Sequence, residues 1–171
     1  VCGAPARTRR MAKGVEGVLV VGAGCSGQLA AAAAREALPA GGRVACIDRD
    51  ASHAALLEDR GVVDDHRVLD ATDAVAVRDA ASEMFAQPPE LVVDTCNVAG
   101  TETGAILACR QRGAVCFFNM ATSFSTAALA AEGAGADIEL TIGNGYVEGH
   151  AEYALDLVRR HPFLRERFGE E

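Results

Sequence analysis

The sequence predicts an α/β protein with a Rossmann-like fold, a doubly wound six-stranded parallel sheet with helices on both faces. Three observations carry that expectation. Short apolar runs, several of them hydrophobic at every position, alternate with longer stretches of helical periodicity, as strands buried on both faces alternate with crossover helices. The first run, Val18-Leu19-Val20-Val21, breaks into Gly22-Ala23-Gly24-Cys25-Ser26-Gly27 and then into an alanine-rich stretch. This places a G-x-G-x-x-G spacing at a strand–turn–helix junction, the setting in which it signifies a dinucleotide site. The second run ends in an acid, Asp48, about 20 residues beyond the last glycine, where such a fold places its ribose ligand.

Each glycine has its own expected task. Gly22 permits the turn, Gly24 lets a pyrophosphate approach the backbone, and Gly27 lets the helix pack on the strand. The free N–H groups around Cys25 and Ser26, at the positive end of the helix, would face the phosphates. Asp48 would accept both ribose hydroxyls and repel a 2′-phosphate, which favours NAD over NADP; Arg49 would take such a phosphate or stack on the adenine. Asp70 either lies near the adenine or belongs to a helix-capping group with Asp73.

Composition narrows the function classes. A chain of 171 residues, half of them hydrophobic, suits one domain with a substantial core. Its formal charge of −8 offers no electrostatic footprint for nucleic acid or an anionic membrane. The apolar stretches fall short of the ~20 residues of a spanning helix, and Arg7, Arg9 and Arg10 lead into no signal-peptide run, so a cytoplasmic protein is expected. Cys2, Cys25, Cys46, Cys96, Cys109 and Cys116 form no C-x-x-C pair, which points to buried thiols and to no metal site.

In order, residues 1–17 read as a lead-in with a helix over 4–13, and residues 18–171 as the dinucleotide-binding domain. A helix over 28–38 stops at Pro39 and Gly41-Gly42, and a strand follows over 43–48. Asp50 caps a helix over 51–60 that ends at Gly61. A third strand is expected over 68–70, then a helix over 73–86 ended by Pro88-Pro89. The fourth strand, 91–94, leads to a helix over 101–112 capped by Gly113, and the fifth spans 114–118. A polar loop over 119–125, a short helix over 126–132, a sixth strand over 137–142 and a helix over 150–160 complete the pattern, with Pro162 opening a charged tail.

Ligands in open α/β sheets bind beyond the carboxyl ends of the strands, which selects the glycine loop, Asp48, residues 70–72, 95–102 and 119–125. Glu102 either complements a helix dipole or binds a cationic substrate group. His150 is either a solvated side chain or a base. The segment Tyr146-Val147-Glu148-Gly149-His150 lacks the Tyr-x-x-x-Lys pair of short-chain dehydrogenases, and the single lysine, Lys13, lies elsewhere; that family is excluded.

Longer phrases are more specific. Cys2-Gly3-Ala4-Pro5-Ala6, Asn97-Val98-Ala99-Gly100-Thr101-Glu102, Phe118-Asn119-Met120-Ala121-Thr122-Ser123-Phe124, Gly143-Asn144-Gly145-Tyr146 and Gly149-His150-Ala151-Glu152 resemble the second half of the L-erythro-3,5-diaminohexanoate dehydrogenase family, which looks like a divergent branch of the medium-chain dehydrogenases. The resemblance implies NAD-dependent oxidative deamination of a small β-amino acid in lysine fermentation. It implies that Asn97, Glu102, Asn119 and Ser123 flank the nicotinamide, and that the chain pairs as a homodimer through the edge strand 137–142. Family members carry an additional N-terminal catalytic domain, and this chain opens on Val1 and not on methionine; the expectation is a cofactor-binding half. Amine oxidation needs a base matched to neutral pH, for which Glu102 and His150 are the candidates.

A rival reading is an NAD(H)-sensing regulatory domain, because Cys46-Ile47-Asp48-Arg49-Asp50 and Val68-Leu69-Asp70-Ala71-Thr72-Asp73 are similar to the second and third strands of modules that gate potassium transporters. The polar segment 119–125 and the sixth strand favour the enzyme. A methyltransferase is a third reading, since a glycine loop and a strand-two acid also suit S-adenosylmethionine.

Overall fold

The structure, a computed structural model, describes residues 1–143 and 145–169. Asn144 of the quoted Gly143-to-Tyr146 phrase and Glu170-Glu171 of the expected tail lie outside the described residues. In chain order the elements are α1 (Gly3–Met11), β1 (Gly17–Val21), α2 (Cys25–Ala37), β2 (Arg43–Asp48), α3 (Ala51–Asp59), β3 (Asp65–Val68) and α4 (Ala74–Met84). They continue with β4 (Leu91–Asp94), α5 (Glu102–Ala108), β5 (Ala114–Phe117), α6 (Phe124–Ala134), β6 (Glu139–Ile142), α7 (His150–Arg160) and α8 (Pro162–Phe168).

The strands form one sheet in the order β3-β2-β1-β4-β5-β6, and every neighbouring pair is parallel. This is the expected doubly wound fold. Alternate side chains of the central strands feed two cores. Val18, Val20, Val44, Cys46 and Val93 face the alanines of α2 and residues of α3, α7 and α8. Leu19, Val21, Ile47, Val92 and Phe117 face Val77, Met84, Ile106 and Ala127 of α4, α5 and α6. Ala30 through Ala34 are fully buried, because α2 lies between the sheet and α1, whose Ala4 and Thr8 are buried in turn. Among the described residues no helix is long and apolar enough to cross a membrane.

Several boundaries differ from the sequence expectation for identifiable reasons. The third strand lies at Asp65–Val68, ahead of the expected 68–70, with Asp48 paired to Val68 at its end. Its signal is polar because it is an edge strand held by charge: Asp65 meets Arg43 at 3.3 Å and Arg67 at 2.5 Å. Helix α5 stops at Ala108, well short of 112, because Cys109 is already extended. The chain then turns through Arg112 at φ 65, where its N–H donates to Asp137 O at 2.5 Å and feeds β5. Helix α6 starts earlier than expected, since Ser123 caps it by accepting from Thr126 N, and Gly135 in the left-handed region ends it. The expected tail folds into α8: Pro162 suits the first helical turn, and Phe163 and Leu164 are buried against the α2 face.

Candidate functional site

The junction of β1 and α2 shows what its glycines do. Gly22 has φ 91 and donates its N–H to Ile47 O at 2.7 Å. A Cβ on Gly27 would stand 1.7 Å from Gly22 O, so the first turn of α2 and the loop are in direct backbone contact. A Cβ on Gly24, by contrast, would meet nothing within 4 Å. Gly24 is also the N-cap of α2, with no side chain capping the helix, so the amides of Cys25 and Ser26 lack an intrahelical acceptor. The loop is therefore closed toward the protein and open toward solvent, where an anion would sit.

Asp48, at the end of β2, accepts Ala23 N–H at 2.5 Å on Oδ2 and Asp50 N–H at 2.7 Å on Oδ1. Each oxygen keeps a further lone pair for a ligand. Asp70 accepts the N–H and hydroxyl of Thr72 at 2.9 and 2.8 Å; these hydrogen bonds, and more weakly the Arg49 charge, hold its pKa below the ordinary value. The helix cap itself is Asp73, which accepts from Ala76 N.

Beyond the strand ends lie two cavities that share Thr95 and Asn97. One, about 240 Å³, is lined by Gly22, Gly24, Asp48, Arg49, Asp70, Ala71, Thr72, Cys96, Val98 and Thr101. The other, about 590 Å³, is lined by Val1, Ser26, Phe118, Asn119, Met120, Gly143 and Gly145. Together they make one cleft across the carboxyl edge of the sheet, with the expected adenosine side under β2 and β3 and a wider side under β4, β5 and β6. A further concavity of about 320 Å³, with Arg9, Arg10, Lys13 and Tyr153 on its walls, shares no residue with it.

Under the wider side lie two buried carboxylates. Asp94, the last residue of β4 and 0% exposed, was unmarked by the sequence because an acid ending a strand looks like any solvated terminus. It accepts Cys96 N–H at 2.9 Å on Oδ1, and on Oδ2 the Thr101 hydroxyl at 2.6 Å and Asn119 Nδ2 at 3.4 Å. Glu102, 1% exposed, accepts Gly100 N–H at 3.1 Å and Ser123 N–H at 2.8 Å. It lies beneath the cleft and not on its lining; Ser123, which is exposed and whose Oγ caps α6, is not on the lining either.

Burial pushes the Asp94 carboxyl up to about 6, with the Glu102 charge adding to the effect and the bonds from Thr101 and Cys96 opposing it. The folded chain thus holds this proton more tightly than the unfolded chain, whose carboxyl keeps the ordinary 3.8. The stability contributed by Asp94 is full below the unfolded value and is lost as pH rises through about 6, a decline of roughly 2 kcal/mol between about pH 4 and pH 7. From pH 4 to pH 7 the wild type should lose about that much stability relative to Asp94→Asn, read from urea midpoints of both; equal changes in the two would remove Asp94 as a source.

His150, on the first turn of α7, lines neither cavity. Its Nδ1 stands 2.7 Å from Val147 O, which places the ring proton on Nδ1, and its ring meets Tyr146 edge-on at 5.2 Å. All six cysteines are free: Cys46 and Cys116 are buried as expected, whereas Cys25, Cys96 and Cys109 are half-buried and Cys2 is exposed. That correction follows from position, since Cys25 opens α2 beside the glycine loop, Cys96 lines the cleft and Cys2 precedes α1. Burial and the neighbouring Asp94 and Asp48 push the Cys96 thiol up to about 12, so it is protonated at neutral pH. Among the described residues no three or more His, Cys, Asp or Glu side chains group as a metal site.

No family model matches the chain. It is 38% identical over 98% of its length to L-erythro-3,5-diaminohexanoate dehydrogenase of Acetoanaerobium sticklandii, and 38% identical over 99% of its length to the same enzyme of Fusobacterium nucleatum. The chain spans about half the length of these curated relatives, 49% and 50%. Among solved structures, galactitol-1-phosphate dehydrogenase from Escherichia coli aligns with TM-score 0.66 at 17% identity, over 94% of this chain and 48% of that one. A mycobacterial protein, Rv1454c, solved in complex with NADPH, aligns with TM-score 0.70 at 19% identity, over 94% and 51%. In sequence, therefore, the chain is similar to one half of the L-erythro-3,5-diaminohexanoate dehydrogenases, and its doubly wound fold recurs in about half of each of the two solved structures.

Proposed function

We propose that this chain is the NAD-binding half of an oxidoreductase that converts L-erythro-3,5-diaminohexanoate to 5-amino-3-oxohexanoate by oxidative deamination. The observation that carries the reading is the 38% identity running along nearly the whole chain to two such dehydrogenases. The site's own geometry fits a dinucleotide. Gly24 leaves open the space a pyrophosphate would fill, the uncapped start of α2 presents amides to it, and the cleft continues toward Asp48 on one side and Asn119 on the other. Bound there, the nicotinamide would supply a hydride acceptor.

The chain's residues divide the remaining work. Asp48 accepts from the ribose, which favours NAD over NADP, and Arg49 and Asp70 border the adenine. Asn97 and Asn119 face the nicotinamide end. Glu102, whose two oxygens already accept from backbone amides, holds the loops together through Gly100 and Ser123. His150, its Nδ1 held against Val147 O, lies off the lining of the cleft and is not placed to take a proton from a substrate amine bound there. The rival sensor reading is not favoured, since the whole-length identity is to dehydrogenases. The protein acts in the cytoplasm on a small amino-acid substrate, with no nucleic-acid partner.

Calorimetry with both cofactors tests the reading. NAD should bind more tightly than NADP, and Asp48→Ala should cost about 1.5–3 kcal/mol of NAD binding, roughly ten- to a hundred-fold in affinity. Circular dichroism checks that the variant, which also frees Ala23 N–H and Asp50 N–H, remains folded. Tighter NADP binding would give Arg49 the deciding role, and an unchanged constant would return Asp48 to a purely structural one.

The same reading includes a homodimer. Strand β6 lies at an edge of the sheet and pairs only with β5 among the described residues, and an identical edge can pair with it across a two-fold axis. Sedimentation equilibrium should give a mass that rises toward twice the monomer with concentration. A constant monomer mass would count against the pairing.

A further inference from the structure

We propose that Asp94 is a positioning residue for the nicotinamide end of the cleft, holding Asn119 so that the amide of Asn119 faces a bound nicotinamide. The inference rests on the dinucleotide reading above and extends it to a residue that touches no ligand. Three donors converge on the Asp94 side chain from three places: Cys96 N–H in the loop after β4, the Thr101 hydroxyl before α5, and Asn119 Nδ2 in the loop after β5. Only a group that accepts on both ends satisfies all three. An asparagine at position 94 would turn an NH₂ against a donor.

The amide of Asn119 has no freedom to flip. Its Oδ1 accepts from Ala121 N at 2.9 Å, Thr122 N at 2.8 Å and the Thr122 hydroxyl at 2.8 Å, so Nδ2 must be the end near Asp94. One of its two N–H bonds is directed to the carboxylate. The other remains for a ligand, and Asn119 lines the wide cavity. Two further ties fasten the same pair of loops: Asn97 Oδ1 accepts Met120 N–H at 3.1 Å, and Glu102 bridges Gly100 and Ser123. A side chain buried on every side therefore sets the direction of a donor that faces the cleft.

The test uses the 171-residue chain with two probes, NADH and ADP-ribose, which share the adenosine and pyrophosphate and differ in the nicotinamide. In the wild type NADH should bind more tightly than ADP-ribose. Asp94→Asn should weaken NADH about tenfold, the loss of one hydrogen bond, while ADP-ribose stays within about twofold. Asn119→Ala should reproduce that selective loss, and the double variant should lose no more than either single one, since both act through one contact. If Asp94→Asn fails to fold, Asp94→Ser takes its place, with the same selective loss of NADH binding expected and equal or absent losses overturning the inference. Equal losses for both probes, or NADH binding unchanged, would overturn the inference while leaving the dinucleotide reading standing. A wild-type chain that binds neither probe would overturn both.

Discussion

Gly24→Val should abolish nucleotide binding and leave the fold in place. The two halves of that outcome come from one geometric fact, that a Cβ at this position meets no protein atom within 4 Å. The protein loses nothing by filling that space except a favourable helix cap, an effect of about 1 kcal/mol. A pyrophosphate approaching the amides of α2 would meet a branched side chain in its path. Gly27→Ala provides the contrast: its added carbon would overlap Gly22 O at 1.7 Å, so that variant should lose the fold along with the site. Circular dichroism and calorimetry run together on both variants separate the cases. Retained affinity in a folded Gly24→Val chain would place the nucleotide elsewhere.

How much of this was legible follows from what burial writes into composition. Strands β1, β2 and β4 announce themselves because nearly all their residues are buried, and their place beside a glycine loop supplied the cleft and Asp48 with it. What stayed hidden depends on pairing. Asp65, His66 and Arg67 read as loop, because the edge strand they form is held by ion pairs and not by apolar contacts. Phe163 and Leu164 looked like part of a tail, because nothing local says that a helix face waits for them. Asp94 and Glu102 share the same obscurity: an acid at a strand end or a helix start is ordinarily solvated, and only the convergence of two distant loops buries these. The paired signal was present in Thr101 and Asn119, polar residues beyond neighbouring strand positions, but spacing alone cannot aim them at one carboxylate.

Alone, the 171-residue chain should oxidise 3,5-diaminohexanoate little or not at all while binding the cofactor. Its relatives are about twice as long, and the wide side of the cleft is open, with Met120 on its wall 92% exposed. A substrate held on one side only is not positioned, and full positioning contributes on the order of 7–11 kcal/mol. Water would also reach the reacting centre freely. The assay follows NADH absorbance with the chain alone and with the chain co-expressed with the N-terminal half of a relative. Turnover only in the second case is the expected result. Robust turnover by the chain alone would show the site complete within these residues.

The order of the strands carries a consequence for how the chain assembles. Strand β1 meets β2 through Val18 and Val44, neighbours along the chain, but meets β4 through Val18 and Leu91, far apart along it. Closing the longer loop costs more chain entropy, and the β1–β4 seam is where the first three strands meet the last three. Gly22, Gly24, Asp48 and Asp70 stand on one side of that seam, and Thr95, Asn97 and Asn119 on the other. A nucleotide lying across the cleft would work as a stitch, binding only the joined form and by mass action drawing newly made chains toward it.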